Sequence, residues 1–197
     1  MHFTIYNLQF TIEQVIYMVL TLELSENVQI PSNVKVEISD RLIKIKGPLG
    51  EVKRQFENPR VDIKLEENMF KLSVTRPNKK MKALIYTYVK HIKNMIQGVT
   101  EGFEYRMKIV YEHFPMKVSI KDKEVTIENF LGEHYPRKCK LVGNTNAVVQ
   151  NDILILRGID IEEVGQSAAI IEKTTKIRNY DSRRFQDGIY ITHKGYK

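Results

Sequence analysis

The chain has no tryptophan, one cysteine, six prolines and ten glycines in 197 residues. A single thiol, Cys139, leaves no intramolecular disulfide framework and no thiolate zinc cluster, which suits a reducing compartment. Glycine and proline are too sparse for a collagen-like or low-complexity protein. No apolar run approaches the roughly 18 residues of a membrane-spanning helix. Met1 to Leu24 is apolar-rich, yet it carries Glu13 and Glu23 and lacks the basic start and unbroken apolar stretch of a secretory signal. A soluble cytoplasmic protein with an unusual N-terminal extension is expected. Catalytic signatures are missing too: there is no dinucleotide or phosphate loop, no paired-histidine zinc motif and no nucleophile elbow. The five histidines (His2, His91, His113, His134, His193) show no metal-ligand spacing. No enzyme, metal, cofactor, membrane or small-molecule substrate is expected.

What is present is a globular composition, 42% hydrophobic and 28% charged. Lysine and arginine number 31 against 24 acids, a net charge of +7. Net charge bears on association rather than fold, so a polyanionic partner is indicated.

An internal repeat organises the chain. Val34 to Glu51 (VKVEISDRLIKIKGPLGE) and Met116 to Glu133 (MKVSIKDKEVTIENFLGE) share eight identities in eighteen gapless positions, 82 residues apart. Each copy alternates apolar residues, turns at Ser39-Asp40-Arg41 or Lys121-Asp122-Lys123, and alternates again, the pattern of a β-hairpin. Phe70-Leu72-Val74 and Ile153 to Leu156 are strand-like. Met81, Leu84, Ile85, Tyr88, Val89, Ile92, Met95 and Ile96 keep helical spacing, with Gly98 placed to end the helix. Asp160 and Glu163 resemble a capping box ahead of Val164, Ala168, Ile171 and Thr175, and small residues from Gly165 to Ala169 let that helix lie close to a sheet. The acids Asp160, Glu162 and Glu163 are better explained by capping than by a cation. The fold class is therefore α+β: two similar tandem domains, each a small mainly antiparallel sheet against one helix, followed by a basic C-terminal extension. The domains are expected at 18–99 and 100–178, with an extension at 1–17 and a basic, aromatic-containing segment at 179–197.

The positive charge is uneven. Arg76 to Lys93 holds six bases and no acid, and Lys82, Tyr86, Lys90 and Lys93 form a stripe opposite the apolar face. A solvated helix face normally mixes signs. Lys79, Lys80, Lys82, Lys90 and Lys93 are thus a candidate secondary RNA or protein contact. Arg137, Lys138 and Lys140 form a second cluster, expected in a loop, with Cys139 among them as a bystander. The third runs from Lys173 to Lys197, seven bases against Asp181 and Asp187, interleaved with Tyr180, Phe185, Tyr190 and Tyr196. Cations neutralise phosphates and rings stack on unpaired bases, so this segment is read as one that orders against RNA. Its removal at Asn179 is expected to leave both cores standing. Gly47-Pro48-Leu49-Gly50 has the spacing of a nucleotide-clamping loop, but it follows a strand and reads as a turn.

Several motifs together resemble one family. NMIQGVTEGFEYRMKIVYEHFP (94–115), VKVEISDRLIKIKGPLGEVKRQF near the start, NFLGEHYPRK in the second copy and FQDGIYITHKG (185–195) resemble the large-ribosomal-subunit protein six family in its eukaryotic form, numbered nine in the older naming. The resemblance spans roughly residues 18 to 195. It implies a structural protein that binds large-subunit rRNA near the stalk base and factor-binding region. Neighbouring large-subunit and stalk-base proteins would be its other partners. It implies rRNA-facing roles for Lys173, Lys176, Arg178, Asn179, Arg183, Arg184, Tyr190 and Lys194, with Arg137 and Lys138 as a matching basic pair and Lys140 beside them. The location implied is the cytoplasmic ribosome, with nuclear or nucleolar transit during assembly in a eukaryotic cell. The sequence departs from the family at Glu101 and Glu104, at Thr75-Arg76-Pro77-Asn78 in place of a Trp-containing segment, and at residues 1–17, an over-called start or a lineage-specific addition. A two-domain scaffold whose basic faces meet acidic proteins is the alternative.

Overall fold

The structure, a computed structural model, describes residues 23–66, 68–75, 77–181 and 183–196. The extension expected at 1–17 lies outside them, as do Arg76 and Lys197. In chain order the elements are β1 (Glu23–Gln29), β2 (Lys35–Ser39), β3 (Leu42–Gly47), β4 (Gly50–Gln55), β5 (Asp62–Glu66), β6 (Met69–Thr75), α1 (Lys79–Thr100), β7 (Phe103–Val110), β8 (Lys117–Lys121), β9 (Glu124–Glu128), β10 (Arg137–Lys140), β11 (Asn146–Gln150), β12 (Ile153–Gly158), α2 (Ile161–Thr174) and β13 (Gly188–Tyr196). This is the α+β class that the repeat implied. No helix among the described residues is long and apolar enough to cross a membrane.

Both repeat hairpins form, and their turns show why. Asp40 and Arg41 (φ 43° and 71°) and Asp122 and Lys123 (φ 48° and 64°) all occupy the left-handed region. Two consecutive residues of that kind match the twist of the flanking strands. Lys121 and Glu124 close the second turn as a direct pair. Gly47 to Gly50 joins β3 to β4 as a turn, and a Cβ on Gly47 would stand 2.7 Å from the Val99 side chain.

Contacts divide the chain into two compact units that interleave in sequence. The first comprises residues up to Ser32, Ile38–Leu42 and Gln55–Lys93. Its sheet runs β1-β6-β5, and Phe70, Leu72, Val74, Ile85 and Ile92 are buried in its interior. The Phe56 and Tyr88 rings meet edge-on at 4.6 Å. Asn78 caps α1, accepting the Met81 N–H at 2.8 Å.

The second unit comprises Asn33–Glu37, Ile43–Arg54 and Asn94–Lys197. It holds a sheet of order β10-β9-β8 and another of order β11-β12-β7-β13. Val125, Ile127, Met107, Leu154, Leu156 and Ile189 from these strands close on Val164, Ala168 and Ile171 of α2. Asp160 caps α2 by accepting the Glu162 N–H at 2.8 Å. Glu163 does not complete a capping box: its carboxylate accepts the Asn144 N–H instead, also at 2.8 Å. Gly98 does not end α1 either. It lies inside the helix, where a Cβ would run into the Ile159 carbonyl oxygen, and the left-handed residue beyond the end is Gly102 (φ 78°).

The largest correction concerns the C-terminal segment. Gly188–Tyr196 is a strand paired with β7 on both sides of a register shift between Ile191 and His193, and Ile189 is fully buried opposite Ile109. The order of these residues comes from the sheet, not from RNA. A core isoleucine contributes about 1.5–3 kcal/mol. Removing β13 would also bare a β7 edge, so truncation at Asn179 does not spare the second core.

Candidate nucleic-acid interface

The C-terminal end of α2 gathers most of the expected cations. The last carbonyls of a helix have no partner within it, and here two groups take them. Thr175, buried, donates its hydroxyl to the Ile171 and Glu172 carbonyls (3.3 and 3.2 Å) and accepts the Ile189 N–H at 3.1 Å, tying helix to β13. Arg137 reaches over from β10 and donates to the Thr174 carbonyl at 2.7 Å and the Lys176 carbonyl at 3.2 Å. Its other nitrogens bind both oxygens of Glu133 at 2.6 and 2.8 Å, and its plane lies 4.1 Å over the Phe130 ring. The guanidinium holds the Glu133 carboxyl below the usual carboxylate range.

Around that end lies an open groove of about 520 Å³ lined by Arg137, Ile170, Lys173, Thr174, Lys176 and Arg178, with no acid in its wall. It adjoins a second hollow of about 390 Å³ that shares Lys173 and Lys176 and is bounded by Phe185, Gln186 and Tyr190. Lys173, Lys176 and Arg178 are exposed and ion-pair with no described acid. Lys173 sits where the helix dipole favours a cation. The loop that follows is folded. Asn179 is left-handed (φ 66°), Asp181 accepts the N–H groups of Arg183, Arg184 and Phe185 at 2.9–3.0 Å, and the Tyr180 and Phe185 rings lie 4.9 Å apart. Arg183 and Arg184 are exposed on this loop.

Other expected residues separate from the groove. Arg137, Lys138 and Lys140 are on a strand, not a loop. Alternation turns Lys138 and Lys140 to the face opposite Arg137. There Lys138 lies 3.5 Å from Glu124 and Lys140 is paired across from the same residue. Arg137 itself is occupied as a helix cap, so its charge reaches the groove while its donors do not. Lys194 stands four residues beyond Tyr190 on β13, about 13 Å along the strand. Cys139 is not activated by its cationic neighbours, because burial pushes its thiol above the ordinary value. On α1, Lys79, Lys80, Lys82, Lys90 and Lys93 are exposed, with Tyr86 among them. None ion-pairs with a described acid.

One cluster was missed. Glu104, buried on β7, accepts Nε–H from Arg106 and from Arg157 at 2.7 Å each. Those two bonds hold its carboxyl below the usual range against the cost of burial. The local signal was the alternation of Glu104, Arg106 and Lys108 with Phe103, Tyr105, Met107 and Ile109. Arg157, 53 residues away, had none. Among the described residues no group of His, Cys, Asp or Glu could hold a metal ion.

Comparison with known proteins agrees with the repeat. The family model described as Ribosomal protein L6 matches twice, over residues 30–102 and 114–188. "Large ribosomal subunit protein uL6" of Methanobrevibacter smithii is 48% identical over 177 residues, covering 90% of this chain and 99% of that protein. The proteins of that name from Methanothrix thermoacetophila and Methanococcus vannielii are 45% and 44% identical over 172 residues, 87% of this chain and 98% and 94% of theirs.

Proposed function

Because the chain belongs to the ribosomal protein L6 family, a family of structural rather than catalytic components, we propose that it is a structural constituent of the large ribosomal subunit. It binds large-subunit rRNA near the stalk base and factor-binding region, beside neighbouring large-subunit and stalk-base proteins, and so supports translation. Its seat is the cytoplasmic ribosome, with nuclear or nucleolar transit during assembly in a eukaryotic cell. The observation that carries the rRNA reading is the acid-free groove of Arg137, Lys173, Lys176 and Arg178 at the end of α2. Phosphates would be met there and on the Arg183–Arg184 loop, and Phe185 and Tyr190 offer rings beside them. Lys138, Lys140 and Lys194 serve as outlying contacts, and the α1 lysines as a secondary one. Domains at 18–99 and 100–178, with a separate basic segment at 179–197, remain part of this reading; the double family match at 30–102 and 114–188 supports two tandem copies.

Sedimentation of the tagged chain through a gradient tests this. It should travel with the large subunit and leave that fraction after ribonuclease. A chain that keeps its heavy partners after ribonuclease would instead be a protein–protein scaffold.

A further inference from the structure

The four-stranded sheet β11-β12-β7-β13 turns one face to α2, and its other face carries a second constellation of charge and rings. The register defines it in rows across β12, β7 and β13. Arg157, Glu104 and Gly195 form one row, Ile155, Arg106 and His193 the next, and Ile153, Lys108 and Tyr190 the third. Directly paired residues share a face, so Arg157, Arg106, Lys108, His193 and Tyr190 project together.

Two features make this face more than a scatter of surface charge. The Glu104 side chain, 4% exposed, takes one Nε–H from each arginine, while the arginine side chains are 56% and 49% exposed. The only acid in these rows is thereby consumed internally. The terminal nitrogens of both arginines donate to nothing among the described residues, so two forks are held in place and open outward. The rings of β13 are laid down in a matching way. Tyr190 leans over Gly188, where a Cβ would stand 2.9 Å from its Cζ and Oη, and His193 leans over Gly195, where a Cβ would stand 2.6 Å from its Nε2. With glycine beneath it, each ring can lie along the sheet and turn a flat face to solvent. The two rings pair with Lys108 and Arg106, two residues apart and hence about 7 Å along the strand.

We propose that this face binds unpaired RNA. Tyr190 and His193 stack on successive bases, Arg106, Arg157 and Lys108 receive the phosphates, and Glu104 acts as a positioning residue for both guanidiniums. A duplex hides its base faces inside its own stack and cannot use the rings. An acidic polypeptide would use the cations and leave the rings idle. The surface shares no residue with the α2 groove, Tyr190 bordering only the hollow that adjoins it, and it does not depend on the groove's assignment.

The test uses the full chain, isotopically labelled, and a single-stranded RNA decanucleotide at about 0.1 M salt, near the ionic strength where surface charges still act over roughly 10 Å. The expected result is movement of the Arg106 and Arg157 Nε–H resonances and of the amides around residues 104–108 and 188–195. That movement should persist in K173Q/K176Q, whose groove is weakened. In R106Q/K108Q the affinity read from the remaining amide shifts should fall roughly tenfold, in the range of losing one stacked base or its phosphate partners. Spectral dispersion checks that each variant is folded, and H193A, which removes one ring and no charge, gives an independent arm with the same expectation. Shifts confined to Lys173, Lys176 and Arg178 would overturn the proposal and leave the groove reading standing. Equal shifts with the same sequence as a duplex, or with polyglutamate, would also overturn it, the latter making the face a site for acidic protein.

Discussion

The two helices carry their charges in opposite senses. In α2, Asp160 caps the start, Glu162 and Glu163 fill the first turn and Lys173 lies in the last, all with the dipole. In α1 the first turn has no acid and holds Lys79, Lys80 and Lys82, and the last turn has no base. The end of α2 is thus electrostatically complete without a ligand: Arg137 and Thr175 satisfy the carbonyls, and the cations around them are surplus. The start of α1 has only its Asn78 cap, and its lysines work against the dipole. A cationic cluster at a helix end therefore has different meanings at the two ends. At the end of α2 it is stable before a partner arrives, whereas at the start of α1 it costs folding free energy that only an external anion returns.

The largest effect that could break this comparison is loss of β13. A chain ending at Asn179 should lose the cooperative unfolding transition of the second unit, seen by circular dichroism. Survival of that transition with native melting would mean that α2 is held without the Thr175–Ile189 bond. Next is R137Q, which strips the Glu133 pair and uncovers the Thr174 and Lys176 carbonyls. A loss of about 1–3 kcal/mol is expected, or roughly 2–12 °C in Tm for a chain of this size. An unchanged Tm would show that α2's end does not need its cap.

E104Q sharpens the electrostatic side. The Glu104 carboxyl is lowered in the folded chain, so its contribution to stability is complete above the ordinary carboxylate value near 4.5 and fades as pH falls through the lowered one. The wild type should melt above E104Q at pH 7, and the gap should narrow only as the pH falls below the ordinary carboxylate value and through the lowered one. A gap that stays constant with pH would rule out the carboxylate charge as its source. The smallest effect is at α1. K79E/K80E should stabilise the free protein by about 0.3–1 kcal/mol per site, measured by urea unfolding, and a destabilised variant would remove the argument that these lysines oppose the dipole.

The legible parts of the molecule were those with local causes. Asp40-Arg41 and Asp122-Lys123 announce the hairpins because alternation stops on both sides of a polar pair. Asp160 announces α2 because its cap is two residues away. β13 was misjudged although Ile189 and Ile191 alternate with Tyr190, since the basic loop before it masked a strand whose partner, β7, lies some 80 residues upstream. Arg137 as a helix cap and the Glu104 clamp were illegible for the same reason: their partners lie 37 and 53 residues away. The groove was legible in its residue types, and its membership was not, because strand alternation sends Lys138 and Lys140 away from Arg137.

The central claim is that the cations around the end of α2 neutralise phosphates. It is tested most directly by the salt dependence of binding to a large-subunit rRNA fragment, for the wild type and for K173Q/K176Q/R178Q. Each phosphate contact contributes about 0.7–0.9 to the slope of log K against log salt. The triple variant should therefore bind more weakly and with a slope shallower by about 2–3. A wild-type slope retained by the variant would contradict the account.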